Sequence, residues 1–284
     1  MFSRADQLRI EQLEGSFKLH CLQFYWEEFD PKLLTFNTED EQLNFLDLDH
    51  LDLSVSTKKM CVGSFSEEGY IPCNAKAPVG KFTQCAECGE SVIKNQECIF
   101  EPECDGTKCD SPICREEHAV YIAFFGNKPK VGMTVKRRVS SRLIEQGADA
   151  YCIVNDALKS RISARACEKD ISGKLKITER PSSKMVLESL KMPEKKMHIE
   201  EGYNWLSEEI RKGLGISVGQ LHILESYPLE EPLPETPKLV ESFGLHTGEP
   251  VGVKGKFMIY RQGNKLSALN LKDLPSRFIS LDRL

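Results

Sequence analysis

"YIAFFGNKPKVGMTVKRRVSSRLIEQGA", residues 121–148, decides how the chain is read. It opens on an apolar run, passes a Gly/Pro turn, resumes in a short apolar stretch and ends in a basic amphipathic segment. The first two parts predict a hairpin: a strand over "HAVYIAFF", a turn at "GNKP" and a second strand at "KVGMT". The third predicts a helix with Thr134 as its N-cap, Val135, Val139 and Leu143 on one face, and Gly147 as its stop. "YCIV" follows as a third strand. Asn155 is then expected to cap a second helix, "DALKSRISARACEKDIS", that ends at Gly173.

Outward from this segment the composition changes. Residues 16–66 alternate in and out ("LNFLDLDHLDLSVS"), as half-buried antiparallel strands do, and predict a small barrel or sandwich. Residues 73–118 are poor in Leu and Val and rich in Cys, Gly, Pro and Asp, so an apolar core cannot hold them. Residues 184–215 read as helices broken at Pro193, and "EPVGVKGKFMIYRQGNKLSALNL" reads as closing strands. The expected division is 1–72, β-rich; 73–118, cysteine-rich; 119–200, an α/β core; and 201–284, a helix plus a C-terminal β unit. The fold class is α+β.

The chain has 284 residues, 40% hydrophobic and 29% charged, which describes a globular protein. No apolar run approaches the roughly 20 residues of a membrane helix, and the first residues lack the apolar stretch of a signal peptide. The expectation is a cytoplasmic protein with no membrane contact. The net charge of −5 is unevenly spread, with 17 Lys and Arg against 9 Asp and Glu in residues 119–200. Such a basic segment in an acidic chain suits a phosphate-bearing partner, although lysines and arginines can also gather by chance or face the acidic N-terminal part.

Eleven cysteines in a reducing compartment argue for metal ligation over disulfides. The candidate ligands are Cys85, Cys88, Cys98, Cys104, Cys109, Cys114 and His118, arranged as Cys-x2-Cys at one end and Cys-x3-His at the other. One or two closed structural zinc sites are expected, with Cys73 available as an eighth ligand. An iron–sulfur cluster and buried free thiols are the other readings.

At "AVYIAFF…KVGMT…R" the chain resembles the GIY-YIG nuclease module. The resemblance implies a small sheet with flanking helices, and roles for Tyr121 on the first strand, Arg142 on the helix and Glu168 as the holder of a divalent ion, Mg²⁺ or Mn²⁺. Val131, Gly132 and Thr134 match the second motif, where Lys130 replaces its Tyr. An Arg fork for the phosphate, a carboxylate-bound metal and a Tyr near the attacking water form a coherent hydrolytic set. Plainer readings also stand: Tyr121 as a strand aromatic, and helix-surface ion pairs between Arg165 and Glu168 and between Arg142 and Glu145. A wider stretch, "CIFEPECDGTKC…CREEHAVYIAFFG…KVGMT…R…EQGA", is similar to the uncharacterised family known as domain of unknown function 2797. That resemblance implies the GIY-YIG-like fold beside a zinc knuckle, with no established activity. Within its pattern Gln146 precedes the Gly147 cap, and a nucleotide contact is its alternative role.

The expected function is action on nucleic acid, RNA before DNA, with metal-dependent cleavage as the reaction. Lys130, Lys136, Arg137, Arg138, Arg161 and Arg165 are the expected nucleic-acid contacts. The alternative is a non-catalytic nucleic-acid binder or an interaction scaffold.

Overall fold

The computed structural model describes residues 18–49, 51–89, 101, 102, 104, 106 and 112–281. The chain divides into two compact units, residues 1–94 with 237–284, and residues 95–236.

The first unit is a nine-stranded sheet. Its N-terminal strands are β1 (Leu19–Glu27), β2 (Asp30–Asn37), β3 (Gln42–Leu46) and β4 (Leu51–Val55), and a separate hairpin joins β5 (Ser64–Ser66) to β6 (Gly69–Ile71). Its C-terminal strands are β11 (Lys238–Leu239), β12 (Gly244–Lys254), β13 (Phe257–Gln262), β14 (Lys265–Asn270) and β15 (Phe278–Ser280). The order is β11-β14-β13-β12-β4-β15-β1-β2-β3. β12 lies antiparallel to β4 with His246 opposite Leu53, and β15 separates β4 from β1. The early strands therefore do not close a barrel or sandwich by themselves, as expected from residues 16–66 alone. They need the C-terminal strands as partners, and the division into four sequential parts groups the strands differently from the two units. Buried Trp26 locks this arrangement by donating its indole N–H to the Gly255 carbonyl at 2.7 Å, in the turn between β12 and β13.

The second unit carries the hairpin predicted from residues 118–134. β7 (His118–Phe125) is buried along its whole length and pairs antiparallel with both β8 (Lys128–Val135) and β9 (Ala150–Leu158). The sheet order is β10-β9-β7-β8, with β10 at His222–Ile223. One face presents Val120, Ile122, Phe124, Val131, Cys152 and Val154 to the main core. Helices α3 (Arg161–Leu175) and α4 (Lys195–Leu214) cover it with Ala164 and Ile171, and with Ile199, Leu206 and Ile210. Strand alternation turns Tyr121, Lys130 and Gly132 to the opposite face.

Two helix starts differ from expectation. Thr134 lies inside β8, where it faces Ala119, and the Lys136 N–H extends the ladder to the Glu117 carbonyl. A short turn at Lys136–Arg138 then leads into α2 (Val139–Gln146), which ends as expected with Gly147 in the left-handed conformation at φ 75°. Asn155 likewise belongs to β9, opposite Val120. The cap of α3 is Ser160, whose hydroxyl accepts from the Ser163 N–H at 3.3 Å, and the helix runs to Leu175, past Gly173. No helix of the described residues is long and apolar enough to cross a membrane.

Candidate functional site

In the first unit, Cys61, Cys73, Cys85 and Cys88 bring their sulfurs within 4.8 Å of one another. Cys61 precedes Gly63, whose positive φ of 74° folds the turn so that its N–H points back at the Cys61 sulfur, 3.4 Å away. The Cys85 N–H reaches the same sulfur at 3.2 Å. Cys88 lies on α1 (Ala86–Gly89), a single turn begun just after Cys85. Gln84 ties the two loops together by donating to the Gly63 carbonyl at 2.8 Å and to the Cys88 carbonyl at 3.3 Å.

The donor set fits one tetrahedral ion. Thiolates about 2.3 Å from zinc stand about 3.8 Å apart at tetrahedral angles, and Cys73 and Cys85 are separated by 3.9 Å. All four are free thiols. The Cys73 thiol is drawn down to about 7, chiefly by a hydrogen bond from the Ala77 backbone, while burial pushes Cys88 up. Four sulfurs crowded together cannot all ionise without a cation among them, and backbone N–H groups aimed at a sulfur stabilise a thiolate. These four cysteines could hold a zinc ion.

Two of the expected ligands, Cys85 and Cys88, belong to this set, which draws in Cys73 and adds Cys61. Cys85 and Cys88 join Cys61 and Cys73, and not Cys104, Cys114 and His118. Chain direction is the reason: the segment after Cys73 returns beside the Cys61 loop, with the Cys61 N–H on the Ala77 carbonyl and the Val79 N–H on the Lys59 carbonyl. Cys104, Cys114 and His118 are buried in the second unit, where His118 Nδ1 lies 2.8 Å from the Glu116 carbonyl. Cys98 and Cys109 lie outside the described residues. Cys61 was missed because it sits in a strand-like stretch, "KMCVGSF". A signal existed nonetheless: Cys61, Cys73 and Cys85 are each twelve residues apart, and Cys61 is followed by Val-Gly.

The second unit gathers a polar cluster on the Tyr121 face of the sheet. Tyr121 is opposite Gly132, and its ring lies across that glycine: a Cβ there would come within 2.8 Å of both the ring Cζ and Oη. Passing over β8, the phenol meets residues of three other elements. Lys130 Nζ is 3.4 Å from Tyr121 Oη and 3.2 Å from Gln146 Oε1. The Tyr121 hydroxyl is pushed up to about 12, first by burial, with Arg142 and Gln146 pulling it down and Glu168 reinforcing the rise. Burial pushes the Lys130 amine down to about 8, helped by Arg142 and opposed by Glu168 and Glu179. Glu168 is raised from the usual carboxylate range by burial, despite its bond with Arg165. Arg142 and Glu168 thus both act electrostatically on Tyr121 and on Lys130, and Gln146 completes the cluster. Gln146 accepts a hydrogen bond from a lysine, which neither sequence reading of it foresaw.

Arg165 donates to Glu168 at 2.7 Å, to Glu179 at 2.6 Å and to Glu101 at 3.3 Å. The expected pair of Arg165 and Glu168 is therefore present, but as part of a half-buried network and not on an open helix surface. Burial disfavours the Arg165 charge, yet its bonds to Glu179 and Glu168 outweigh that and raise its proton affinity. Of the expected nucleic-acid contacts, Lys130 is buried in the cluster. Lys136 pairs with Glu117, Arg137 grips Glu116 at 2.7 and 3.1 Å, and Arg138 pairs with Glu145, all of them exposed. Arg142 is also exposed and lies 3.7 Å from Glu145. Arg161 is half-buried at the start of α3.

No curated protein and no solved structure matches the chain. A family profile described as "Protein of unknown function (DUF2797)" matches residues 49–277, a span that takes in both the four-cysteine centre and the Tyr121 cluster. With so much of its length matched, the chain belongs to the DUF2797 family.

Proposed function

We propose that this protein acts on nucleic-acid phosphodiesters through a GIY-YIG-like core in its second unit, with RNA the preferred substrate. The observation that carries the reading is Tyr121 lying across Gly132, with Arg142 and Glu168 both acting on its hydroxyl. The three-stranded order β9-β7-β8, antiparallel throughout, supports it. Arg142 is the exposed member and provides the fork for the scissile phosphate. Glu168, with Glu179 across Arg165, is the carboxylate that would hold Mg²⁺ or Mn²⁺; such an ion offsets charge on the leaving oxygen. The exposed pair of Lys136 with Glu117 is weakly held, so phosphate can replace carboxylate there. The four-cysteine centre is a closed structural zinc site.

The test is Mg²⁺- or Mn²⁺-dependent cutting of a panel of structured and single-stranded RNAs and DNAs. Arg142→Ala and Glu168→Ala should each abolish it, and cutting that survives both substitutions removes these residues from the reaction.

A second reading is a nucleic-acid binder without turnover. It is favoured by the 1% exposure of Tyr121 and by the Arg165 guanidinium already on the Glu168 carboxylate. It predicts binding that weakens steeply with salt, falls on charge reversal at Arg137, Arg138 and Arg142, and is unaccompanied by cleavage.

A further inference from the structure

We propose that Lys130, and not Tyr121, is the proton acceptor of this cluster. The inference rests on the phosphodiester reading above and assigns the base within it.

The geometry around Lys130 Nζ is unusual for a lysine. The side chain is only 3% exposed, and such burial ordinarily demands a carboxylate partner. Among the described residues its hydrogen-bond partners are instead two neutral oxygens, Tyr121 Oη at 3.4 Å and Gln146 Oε1 at 3.2 Å. Its ammonium would also lie 5.0 Å from the centre of the Tyr121 ring. An ammonium carries three N–H donors, whereas an uncharged amine carries two and a lone pair. Two oxygens satisfy the amine completely and leave its lone pair free to accept a proton.

The charges facing Nζ come from every side. Arg142 on α2 opposes a second positive charge, Glu168 on α3 and Glu179 beyond it favour one, and Tyr121 on β7 is neutral. Burial outweighs the two carboxylates and brings the amine down to about 8, whereas the neighbouring phenol is pushed up to about 12. Adjacent groups displaced in opposite directions take opposite roles, and a base works best when its affinity lies near the ambient pH. From about pH 8 upward the amine is largely uncharged and a usable base, whereas the phenol still keeps its proton. Tyr121 then acts as a positioning residue, its oxygen and ring fixing Nζ in place.

In the step itself, an attacking water passes a proton to Nζ while its oxygen bonds to phosphorus. The phosphorus–oxygen ester bond breaks, and the departing oxygen takes a proton from solvent. The ammonium returns its own proton to solvent, so no oxidant or reductant is required.

Two measurements on the full chain decide the matter. In protein carrying ¹³C,¹⁵N-lysine, the Lys130 signal, assigned by its loss in Lys130→Arg, should titrate near pH 8, well below the usual lysine range. In parallel, the rate of Mn²⁺-dependent RNA cutting should rise with pH through that midpoint and then level off. Lys130→Met should lower the rate at least a hundredfold and remove the rise, while thermal unfolding shows the variant folded. Tyr121→Phe, which removes the oxygen that holds Nζ, should lower the rate but keep the rise. The reverse pattern overturns the assignment, as does a cutting protein whose Lys130 titrates above pH 10. Wild-type protein that cuts nothing overturns the function and this role together, whatever the titration shows.

Discussion

Gly63→Ala tests the geometry of the cysteine centre most directly. Gly63 has φ 74°, a left-handed conformation that an L side chain adopts at a cost of roughly 1–2 kcal/mol. The added methyl would also overlap the Ile71 carbonyl oxygen and lie 3.0 Å from Pro72 Cα and 3.1 Å from Cys73 N. These are backbone atoms of the segment that carries Cys73, so relief requires the Cys61 and Cys73 loops to part. Overpacking of this kind adds about 1–3 kcal/mol. If roughly 3 kcal/mol falls on the metal-bound geometry, zinc affinity drops about a hundredfold. Competition with a chromophoric chelator at fixed pH measures this. Gly263→Ala is the control: its φ is 60° with nothing within 4 Å of the new methyl, so it carries the conformational penalty without the overlap. It should lower stability by about 1 kcal/mol and leave zinc affinity unchanged. If Gly63→Ala binds zinc as tightly as the parent, or Gly263→Ala weakens binding equally, the four cysteines do not form the site described.

Gly132→Ala should destabilise the second unit by about 2 kcal/mol, because its methyl would come within 2.5 Å of Lys130 Nζ and 2.8 Å of the Tyr121 hydroxyl. Urea unfolding measures this, and an unchanged midpoint would mean that the tyrosine does not lie across β8. In the first unit, His246 is buried against the Tyr260 hydroxyl, and burial lowers its imidazole to about 4. Because the unfolded chain takes up this proton from about pH 6.5 downward, stability should fall by roughly 3 kcal/mol as the pH drops from 6.5 to 4. His246→Leu should flatten that decline in urea titrations, and an equally steep decline in the variant would refute the assignment.

The hairpin of β7 and β8 was legible because two apolar runs separated by a Gly/Pro turn leave few alternatives. Tyr121, Arg142 and Glu168 fall on β7, α2 and α3, near enough in the chain for one continuous unit to hold all three. The partners of β4 were not. Period-two alternation reveals that a strand has a buried face, but nothing about which strand lies beside it, and β12 is almost two hundred residues away. Asn155 resembles a helix cap in isolation, yet pairing with β7 holds it in a strand and passes the cap to Ser160. Cys61 illustrates a related difficulty. A cysteine amid apolar residues reads as core, and only the return of the chain at Ala77 and Val79 makes it a ligand. Lys130 is expected as a nucleic-acid contact, and only tertiary packing shows an amine held between a phenol and an amide.

The split of the first unit across the chain has a consequence for how the protein is made. A ribosome releases β1 to β4 early, but β12 and β15, which complete their sheet, emerge only after residues 95–236 have been synthesised. The second unit is continuous and can condense as it leaves the exit tunnel, whereas the nascent N-terminal strands wait with open edges. Cys61, Cys73, Cys85 and Cys88 all emerge within that interval. Zinc captured then would hold residues 61–88 together before their β partners exist, making metal supply during translation a determinant of yield.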